Sequence, residues 1–247
     1  MSNEQLIRKA MRKFSTVYDE DAPKNIPGKH ILQRAEVSDR AKVSGDAQVS
    51  GNAQVSGNAQ VFGKAHVSDS ARVGDFAWVY ENAQVFNSAM ILEEASVRGN
   101  AEVAGNATLW GNASVSGSAR VEGKAKVVGS ATISGSAYVS GKTLISGSAK
   151  VGDSCFVQGE ATVTGQAEVE DSASIHGKAR IEDRAVIMGK AQVFDRARVF
   201  GQATVGGKAI IKGDAQIGGT AVILGGVWDG SEGPIMEGRW KAPGVPA

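Results

Sequence analysis

The sequence predicts an all-β protein, a parallel solenoid whose chain winds in triangular coils. Three observations lead to this prediction: a six-residue period without insertion or deletion, alternate small and branched apolar residues within each period, and a turn-forming residue at a fixed place in it. The period runs from residue 35 to about residue 226 of the 247-residue chain. A strict period of this kind indicates a repeat architecture before any single residue is considered.

Each repeat reads Ala-x-Val-x-Gly-x. Steps of six from Ala35 to Ala221 give 32 repeats, and only Thr143 and Cys155 replace alanine in the first column. The residue two places later is always Val, Ile or Leu. Apolar residues at alternate positions are typical of a short strand with one buried face. The alanine and valine columns are therefore predicted to point inward, and the residue between them outward.

The fifth column is the predicted turn. It holds Gly in 22 repeats and Asp, Glu or Asn in the other ten, and these residue types tolerate a positive φ. One strand and one turn make one side of a prism, and three repeats close one coil. The repeats then form about ten and a half coils, a rod on the order of 50 Å long at about 4.8 Å per coil. Its thin core leaves no room for a ligand, so any binding must be external or between subunits.

The repeats resemble the bacterial hexapeptide family. Its motif is an aliphatic residue, a small or acidic one, two free positions, a small residue and a free position, and Val-Ser-Gly-Asn-Ala-Gln at residues 49–54 matches it in order. The resemblance covers about 190 residues. It implies a left-handed parallel β-helix, which is an exception to the right-handed rule for parallel crossovers. The predicted fold is therefore all-β, a left-handed parallel β-helix of about ten to eleven triangular coils, with a short N-terminal helix and a C-terminal tail.

We expect three segments along the chain. Residues 1–34 form an N-terminal helix and linker that cap the rod, residues 35–226 form the solenoid, and residues 227–247 form a C-terminal tail that packs on the rod. A bare terminal coil would expose unpaired strand edges. Residues 3–14 suit a short helix, which we expect to cap the first coil, with a membrane-surface or partner-binding helix as the alternative. Its apolar face consists of Leu6, Ile7, Ala10, Met11 and Phe14.

The tail has a predicted docking place on the side of the rod. Residues three repeats apart lie above one another, so outward columns can be read from the sequence. Near the C-terminal end, two such columns form an apolar surface with a glycine gap, here called the tail strip. It consists of Val186, Met188, Gly206, Val222 and Leu224. We expect Trp228 or Trp240 of the tail to pack there.

Composition points to no particular partner. The chain has a net charge of +1 and 42% hydrophobic residues, which gives no bulk preference for nucleic acid or membranes. The single cysteine, Cys155, occupies an inward alanine position, which argues against a disulfide or a metal site. No apolar run is long enough to span a bilayer. We therefore expect a cytoplasmic protein without cofactor, metal, nucleic acid or membrane partner.

A second outward apolar surface, here called the apolar strip, is the predicted interface. It consists of Met90, Leu92, Trp110, Val128 and Leu144. Continuous apolar patches usually mark contact surfaces, and the family resemblance implies trimers with rods side by side, although the strip would serve a dimer equally well. Binding of a separate protein partner through the same strip is a further alternative. The alternative is that part of the N-terminal linker covers the strip.

Smaller aromatic patches are predicted elsewhere on the outward surface. Phe62 lies above Tyr80, with Trp78 beside them on a neighbouring face, and Tyr138 lies above Phe156 on the third face. These patches are further places where a partner could bind, although isolated surface aromatics are common.

The family resemblance also implies an enzymatic alternative. Many hexapeptide proteins transfer an acyl group from coenzyme A or acyl carrier protein to a small molecule or sugar, with a histidine as general base. The histidines are His30, His66 and His176. His66 and His176 lie six coils apart, roughly 29 Å, and no inserted loop folds over either. If the protein is an acyltransferase, His176 at a subunit interface is the expected base. The favoured prediction is a rigid scaffold that self-associates through the apolar strip.

Overall fold

The chain folds as a parallel β-solenoid of about 11 turns, as predicted. The computed structural model describes residue 31, residues 34–38 and residues 40–246. Within these residues the regular structure consists of strands, with no helix, and the strands stack into three sheets of 11, 13 and 11 strands. The predicted helix over residues 3–14 and His30 lie outside the described residues.

Consecutive strands along the chain join different sheets, which form the three faces of a prism. Face 1 contains Glu36–Val37, Gln54–Val55, Arg72–Val73, Met90–Ile91, Thr108–Gly111, Lys126–Gly129, Leu144–Ile145, Thr162–Val163, Arg180–Ile181, Arg198–Val199 and Gln216–Ile217. Face 2 contains Lys42–Val43, Gln60–Val61, Trp78–Val79, Ser96–Val97, Ser114–Val115, Thr132–Ile133, Lys150–Val151, Glu168–Val169, Val186–Ile187, Thr204–Val205, Val222–Ile223, Arg239–Ala242 and Val245–Pro246. Face 3 contains Gln48–Val49, His66–Val67, Gln84–Val85, Glu102–Val103, Arg120–Val121, Tyr138–Val139, Phe156–Val157, Ser174–Ile175, Gln192–Val193, Ile210–Ile211 and Val227–Trp228.

The core consists of the two inward columns of the repeat. Strands pair in parallel with an offset of three repeats, so that Val49 lies opposite Val67 and Val67 opposite Val85. From Ala47 to Ile223, every alanine-column and valine-column residue is at most 2% exposed. The interior is filled by these side chains, and functional groups must therefore lie on the outward columns.

The corners explain the fifth column of the repeat. Its described residues up to Gly219 have φ between 51° and 80°, the left-handed region that glycine adopts without steric cost. Glycine is also favoured by the close approach of the next coil: a Cβ on Gly117 would lie 2.6 Å from the carbonyl oxygen of Gly135. Most corners therefore require glycine for two independent reasons.

Nine described corners carry Asp, Glu or Asn instead of glycine. In eight of the nine, the side chain accepts a hydrogen bond from the backbone N–H of the corresponding corner in the next coil. Asp171, for example, accepts from Gly189 N at 2.8 Å. This bond offsets the strain of a positive φ in a residue with a Cβ. The side chains at these corners thus link one coil to the next.

The C-terminal tail forms one further coil at the end of the rod. Trp228, Ile235 and Trp240 pair with the inward residues of the preceding coil on faces 3, 1 and 2, respectively. Trp228 lies 17 residues after its partner Ile211, one fewer than in the regular coils, because the turn before it is one residue shorter. The tail therefore continues the winding of the chain instead of leaving it.

The two tail indoles close the end of the core. Trp228 is 2% exposed and its ring lies 6.3 Å from that of Trp240, edge to face. Trp228 Nε1 donates to the carbonyl oxygen of Gly225 at 2.8 Å. The structure thus places both indoles over the last coil, whereas the sequence analysis placed one of them on the outward tail strip. Large rings fit here because no further coil covers the terminal alanine and valine layer.

We expect Asp171→Ala to destabilise the protein by about 1–3 kcal/mol, because alanine in a left-handed conformation is strained and cannot accept the hydrogen bond from Gly189. Asp171→Asn retains an acceptor and tolerates the conformation, and it is the matched control. Chemical denaturation followed by circular dichroism measures both. Equal losses in the two variants would contradict the proposed role of the corner carboxylate.

A second prediction concerns Cys155, which is fully buried in the alanine column. Burial raises the pKa of its thiol to about 11. Between about pH 9 and pH 11 the unfolded chain therefore releases a proton that the folded chain keeps, so stability falls as pH rises. We expect wild type to lose about 1–2 kcal/mol over this range relative to Cys155→Ala. Urea denaturation at pH 8 and pH 10.5 measures the difference, and parallel pH profiles of the two proteins would contradict it.

Candidate functional site

The apolar strip lies at the edge between faces 1 and 2. Leu92, Trp110 and Val128 lie above one another in the fourth column of the repeat on face 1, and Met90 and Leu144 lie in the second column of the same face. The two strands that contain Trp110 and Val128 have four residues, whereas the other strands of face 1, from Glu36–Val37 to Gln216–Ile217, have two. Their pairing continues through Trp110 and Val128 to the corner glycines. Strand pairing therefore extends further towards the corner in these two coils than in the other coils of face 1.

Burial within the apolar strip is uneven. Leu92 is 1% exposed and Val128 is 3% exposed, although both occupy outward positions. Met90, Trp110 and Leu144 are half-buried. The indole Nε1 of Trp110 is buried, and no residue of the described chain accepts a hydrogen bond from it. The strip thus combines buried aliphatic side chains with an N–H donor that has no acceptor among the described residues.

A cluster of four aromatic side chains on and beside face 2, here called the aromatic cluster, remains open to solvent. Phe62 and Tyr80 stack with ring centres 5.0 Å apart and planes 8° apart. Trp78 meets both rings edge-on at 6.2 and 6.4 Å. Trp78 is 45% exposed and the fourth member, Phe76, is 57% exposed. The rings of Phe62, Trp78 and Tyr80 pack on one another, and Phe76, two residues before Trp78, adds a further exposed ring on the same side of the rod.

Phe76 was missed in the sequence analysis. It occupies the sixth column, at a corner, whereas the aromatic patches were read from the second and fourth columns. The available signal was the run Phe-Ala-Trp-Val-Tyr over residues 76–80, where aromatic residues take every outward place around a buried Ala and Val. Gly74, in the column of Leu92 and one coil before it, is two residues away from Phe76. The aromatic cluster and the apolar strip are therefore neighbours around one edge of the rod.

The described histidines are separate and lack an acidic partner. His66 pairs with Gln48 and Gln84 in the adjacent coils of face 3. His176 stacks on Phe194, with ring centres 4.7 Å apart and planes 5° apart. Within residues 40–246 no hydrogen bond or ion pair joins either imidazole to a carboxylate. The role of His176 as a general base stays a prediction.

Charged side chains form ladders along the corners. The Glu160 carboxylate lies 3.2 Å from Lys142 Nζ and 3.7 Å from Lys178 Nζ. The hydrogen bond from Lys142, with the nearby charge of Lys178, lowers the pKa of Glu160. Arg196 pairs with Asp214 at 2.9 Å. Because carboxylates are interspersed with these cations, the corner is a poor site for an anionic polymer.

The remaining expected sites have the following placement. Phe156 is exposed, and Tyr138 beside it donates a hydrogen bond to Glu122, which together with burial raises the pKa of Tyr138. In the part of the chain that the structure describes, no three His, Cys, Asp or Glu residues are grouped so as to hold a metal ion. Nor does this part contain a helix with the length and apolarity needed to cross a bilayer.

Comparison with known proteins supports the architecture. Residues 47–63, 53–69 and 191–207 match the family model described as the YdcK Beta solenoid repeat. No curated protein matches the chain. The matched repeats lie in the N-terminal and C-terminal parts of one uninterrupted series of coils. The repeat matches and the stacked parallel strands are both those of a hexapeptide-repeat-like β-helix.

Proposed function

We propose that this protein is a rigid scaffold that binds further copies of itself through the aromatic cluster. The observation that carries the proposal is the exposure of Phe76 and Trp78 on a surface where the neighbouring rings are already packed. Rigid aromatic side chains contribute large contact areas at low conformational cost and are enriched at the centres of interfaces. The flat faces of a β-solenoid can lie side by side over several coils.

The architecture supports a scaffold because the coils follow one another without an inserted loop from Glu36 to Ile223. Each coil contacts only its neighbours, which gives a long and regular surface. Several outward polar side chains pair with the next coil along the rod: Asn82 donates to Asn100, for example, and Lys150 pairs with Glu168. The aromatic cluster departs from this pattern, since it offers apolar area without polar partners.

The aromatic cluster is a better contact surface than the apolar strip alone. The sequence predicts self-association through the strip, but Leu92 and Val128 expose almost no area to a second copy. Phe76 and Trp78 expose about half of theirs. Trp110, which is half-buried at the shared edge, is where the strip can extend a contact that begins at the cluster. Self-association through the strip itself stays a prediction that the same experiment tests.

Light scattering on purified variants tests the proposal. We expect wild type to have the mass of a dimer or trimer and Phe76→Ser/Trp78→Ser to be a monomer, since the double substitution removes the exposed apolar area. Phe156→Ser is the matched control, because it removes an exposed ring from another face, and it is expected to keep the wild-type mass. Circular dichroism checks that all variants keep their strands.

Trp110→Glu separates the two surfaces in the same experiment. If Trp110→Glu is monomeric while Phe76→Ser/Trp78→Ser keeps the wild-type mass, the contact lies on the apolar strip and the aromatic cluster is not the interface. A monomeric wild type at the highest concentration measured would overturn self-association altogether.

The acyltransferase alternative is a weaker proposal. It comes from the family resemblance, with coenzyme A or acyl carrier protein as donor and His176 as base. The stacking of His176 on Phe194 leaves this side chain half-buried, and a general base also needs an oriented acceptor and a pocket. An assay of acyl transfer with His176→Ala tests it, and unchanged transfer by the variant would remove the assignment.

A further inference from the structure

One strand pair of face 1 places two like charges directly opposite each other. Arg180 and Arg198 are register partners in adjacent coils, and both residues are exposed. Like charges in register destabilise a sheet. The other charged register partners of the described strands have opposite signs, as Glu102 and Arg120 do. The pair of Arg180 and Arg198 is therefore an exception to the charge pattern of the outward columns.

The corner beside this pair adds two more cations. Lys178 and Arg196 precede Arg180 and Arg198 by two residues, so they are also one coil apart. The four Cα positions form a block of two by two, about 4.8 Å along the rod and roughly 6.6 Å across it. The block opens to solvent as a cleft of about 320 Å³, here called the basic cleft. The cleft is lined by Lys178, Arg180, Arg196, Arg198, Asp214 and Gln216.

Two arginines of the basic cleft are held by neighbouring side chains. Arg196 donates from Nε and Nη2 to the two carboxylate oxygens of Asp214, both at 2.9 Å. Arg198 donates from Nε to Glu182 at 2.7 Å and lies over the ring of Phe200, 4.4 Å from its centre. These contacts use only part of the five N–H donors of each guanidinium. Arg196 and Arg198 are therefore oriented in advance and keep donors for a ligand.

The carboxylates near the basic cleft do not neutralise all of its cations. Arg180 makes no hydrogen bond or ion pair with another side chain of the described coils. Glu160, 3.7 Å from Lys178, is shared with Lys142. Asp195 directs its carboxylate to the backbone N–H of the next corner, at 3.0 Å. The cleft therefore keeps an excess of positive charge around Arg180.

We propose that the basic cleft binds a phosphate dianion, either as the free ion or as the phosphate group of a small phosphomonoester. Arginine forks bind oxyanions with two parallel hydrogen bonds. A phosphate group presents three oxygens, so it can accept from Arg180 and Arg198 at the same time, whereas a carboxylate presents two. Its negative charge also offsets the repulsion between these side chains. The like-charge pair is thus stabilised by the ligand that it binds.

The carboxylates at the two ends of the block limit the ligand to a compact anion. In the corner column, Glu160 lies one coil before Lys178, and Asp214 lies one coil after Arg196. An anionic polymer that follows the corner would meet both carboxylates, which repel it. The cations span only two coils, about 5 Å along the rod. This length suits a single phosphate group and agrees with the poor fit of the corner to a polymer.

The basic cleft is separate from the aromatic cluster. Trp78 and Arg180 are more than five coils apart along the rod. Binding of phosphate in the cleft therefore adds a ligand site to the scaffold and leaves the proposed contact between copies unchanged.

Isothermal titration calorimetry with inorganic phosphate tests the proposal, at constant chloride and at pH 8, where phosphate is mainly the dianion. We expect Arg180→Gln/Arg198→Gln to bind phosphate roughly tenfold or more weakly than wild type, because each substitution removes a fork. Arg120→Gln/Arg184→Gln is the matched control, since it removes two exposed arginines outside the cleft. The control is expected to keep the wild-type affinity within about twofold, because salt screens distant charges.

Melting temperatures separate a lost site from a lost fold. Without phosphate, we expect Arg180→Gln to melt no lower than wild type, because the substitution removes the like-charge repulsion. Phosphate should raise the melting temperature of wild type more than that of Arg180→Gln, since only a bound ligand adds to the general effect of phosphate on stability. A variant that melts well below wild type in the absence of phosphate would contradict the repulsion on which the proposal rests.

Two further probes identify the source of the phosphate group. Phenyl phosphate that binds at least as tightly as inorganic phosphate supports a phosphomonoester ligand, and weaker binding of phenyl phosphate supports the free ion. Succinate, a dicarboxylate, is expected to bind more weakly than inorganic phosphate.

Three results would overturn the proposal. They are equal affinities of wild type and Arg180→Gln/Arg198→Gln for phosphate, no binding of either phosphate probe, and succinate binding as tight as that of phosphate. None of these results bears on the light-scattering difference expected for the aromatic cluster, so the two proposals fail separately.

Discussion

Backbone hydrogen bonds between adjacent coils are the constraint on which the rest of the structure depends. Each outward N–H donates to a carbonyl about one coil further along the chain, as Gln84 does to Ala101 at 2.9 Å. Because these bonds fix the coil spacing, a side chain always meets the same column above and below it. Inward columns must then keep one size, which alanine and valine provide, and corners must pass close to each other, which glycine allows.

The outward columns are not constrained by this packing, and most of their residues are polar or charged. Glu102 pairs with Arg120, and Glu182 with Arg198, on strands or edges of adjacent coils. Such exposed pairs add little stability individually, but they keep these parts of the surface polar. Against that background the apolar strip and the aromatic cluster are exceptions, and they lie side by side in the N-terminal and central coils of the rod. These two surfaces are therefore the first candidates for a functional role, since the remaining outward columns consist mainly of polar and charged residues.

The sequence was sufficient to predict whatever depends on the period alone. The inward position of Cys155 and the turn at Asp171 follow from counting, because every coil obeys the same local geometry. The inward position of Trp228 could not be predicted from the six-residue period, because the turn before it is one residue shorter. Its large ring also fits only at the end of the core, where no further coil lies over it. The near-complete burial of Leu92 was not predicted either, because the period places this residue in an outward column and says nothing of how closely the neighbouring side chains pack there. Sequence periodicity therefore describes the coils but neither the end of the rod nor the exposure of single outward side chains.

The equivalence of the three inward faces has a consequence for changes in chain length. A duplication or loss of one six-residue repeat would leave the core packing intact, since Ala and Val take the same inward places on every face. Trp228 would still pack at the C-terminal end of the core. Every outward residue after the change, however, would move to the neighbouring face. Only insertions of three repeats keep the columns aligned. A gain or loss of one repeat would therefore rotate the outward residues after it by one face about the rod axis. The inward residues would keep the same packing, so new combinations of outward residues could arise along one face.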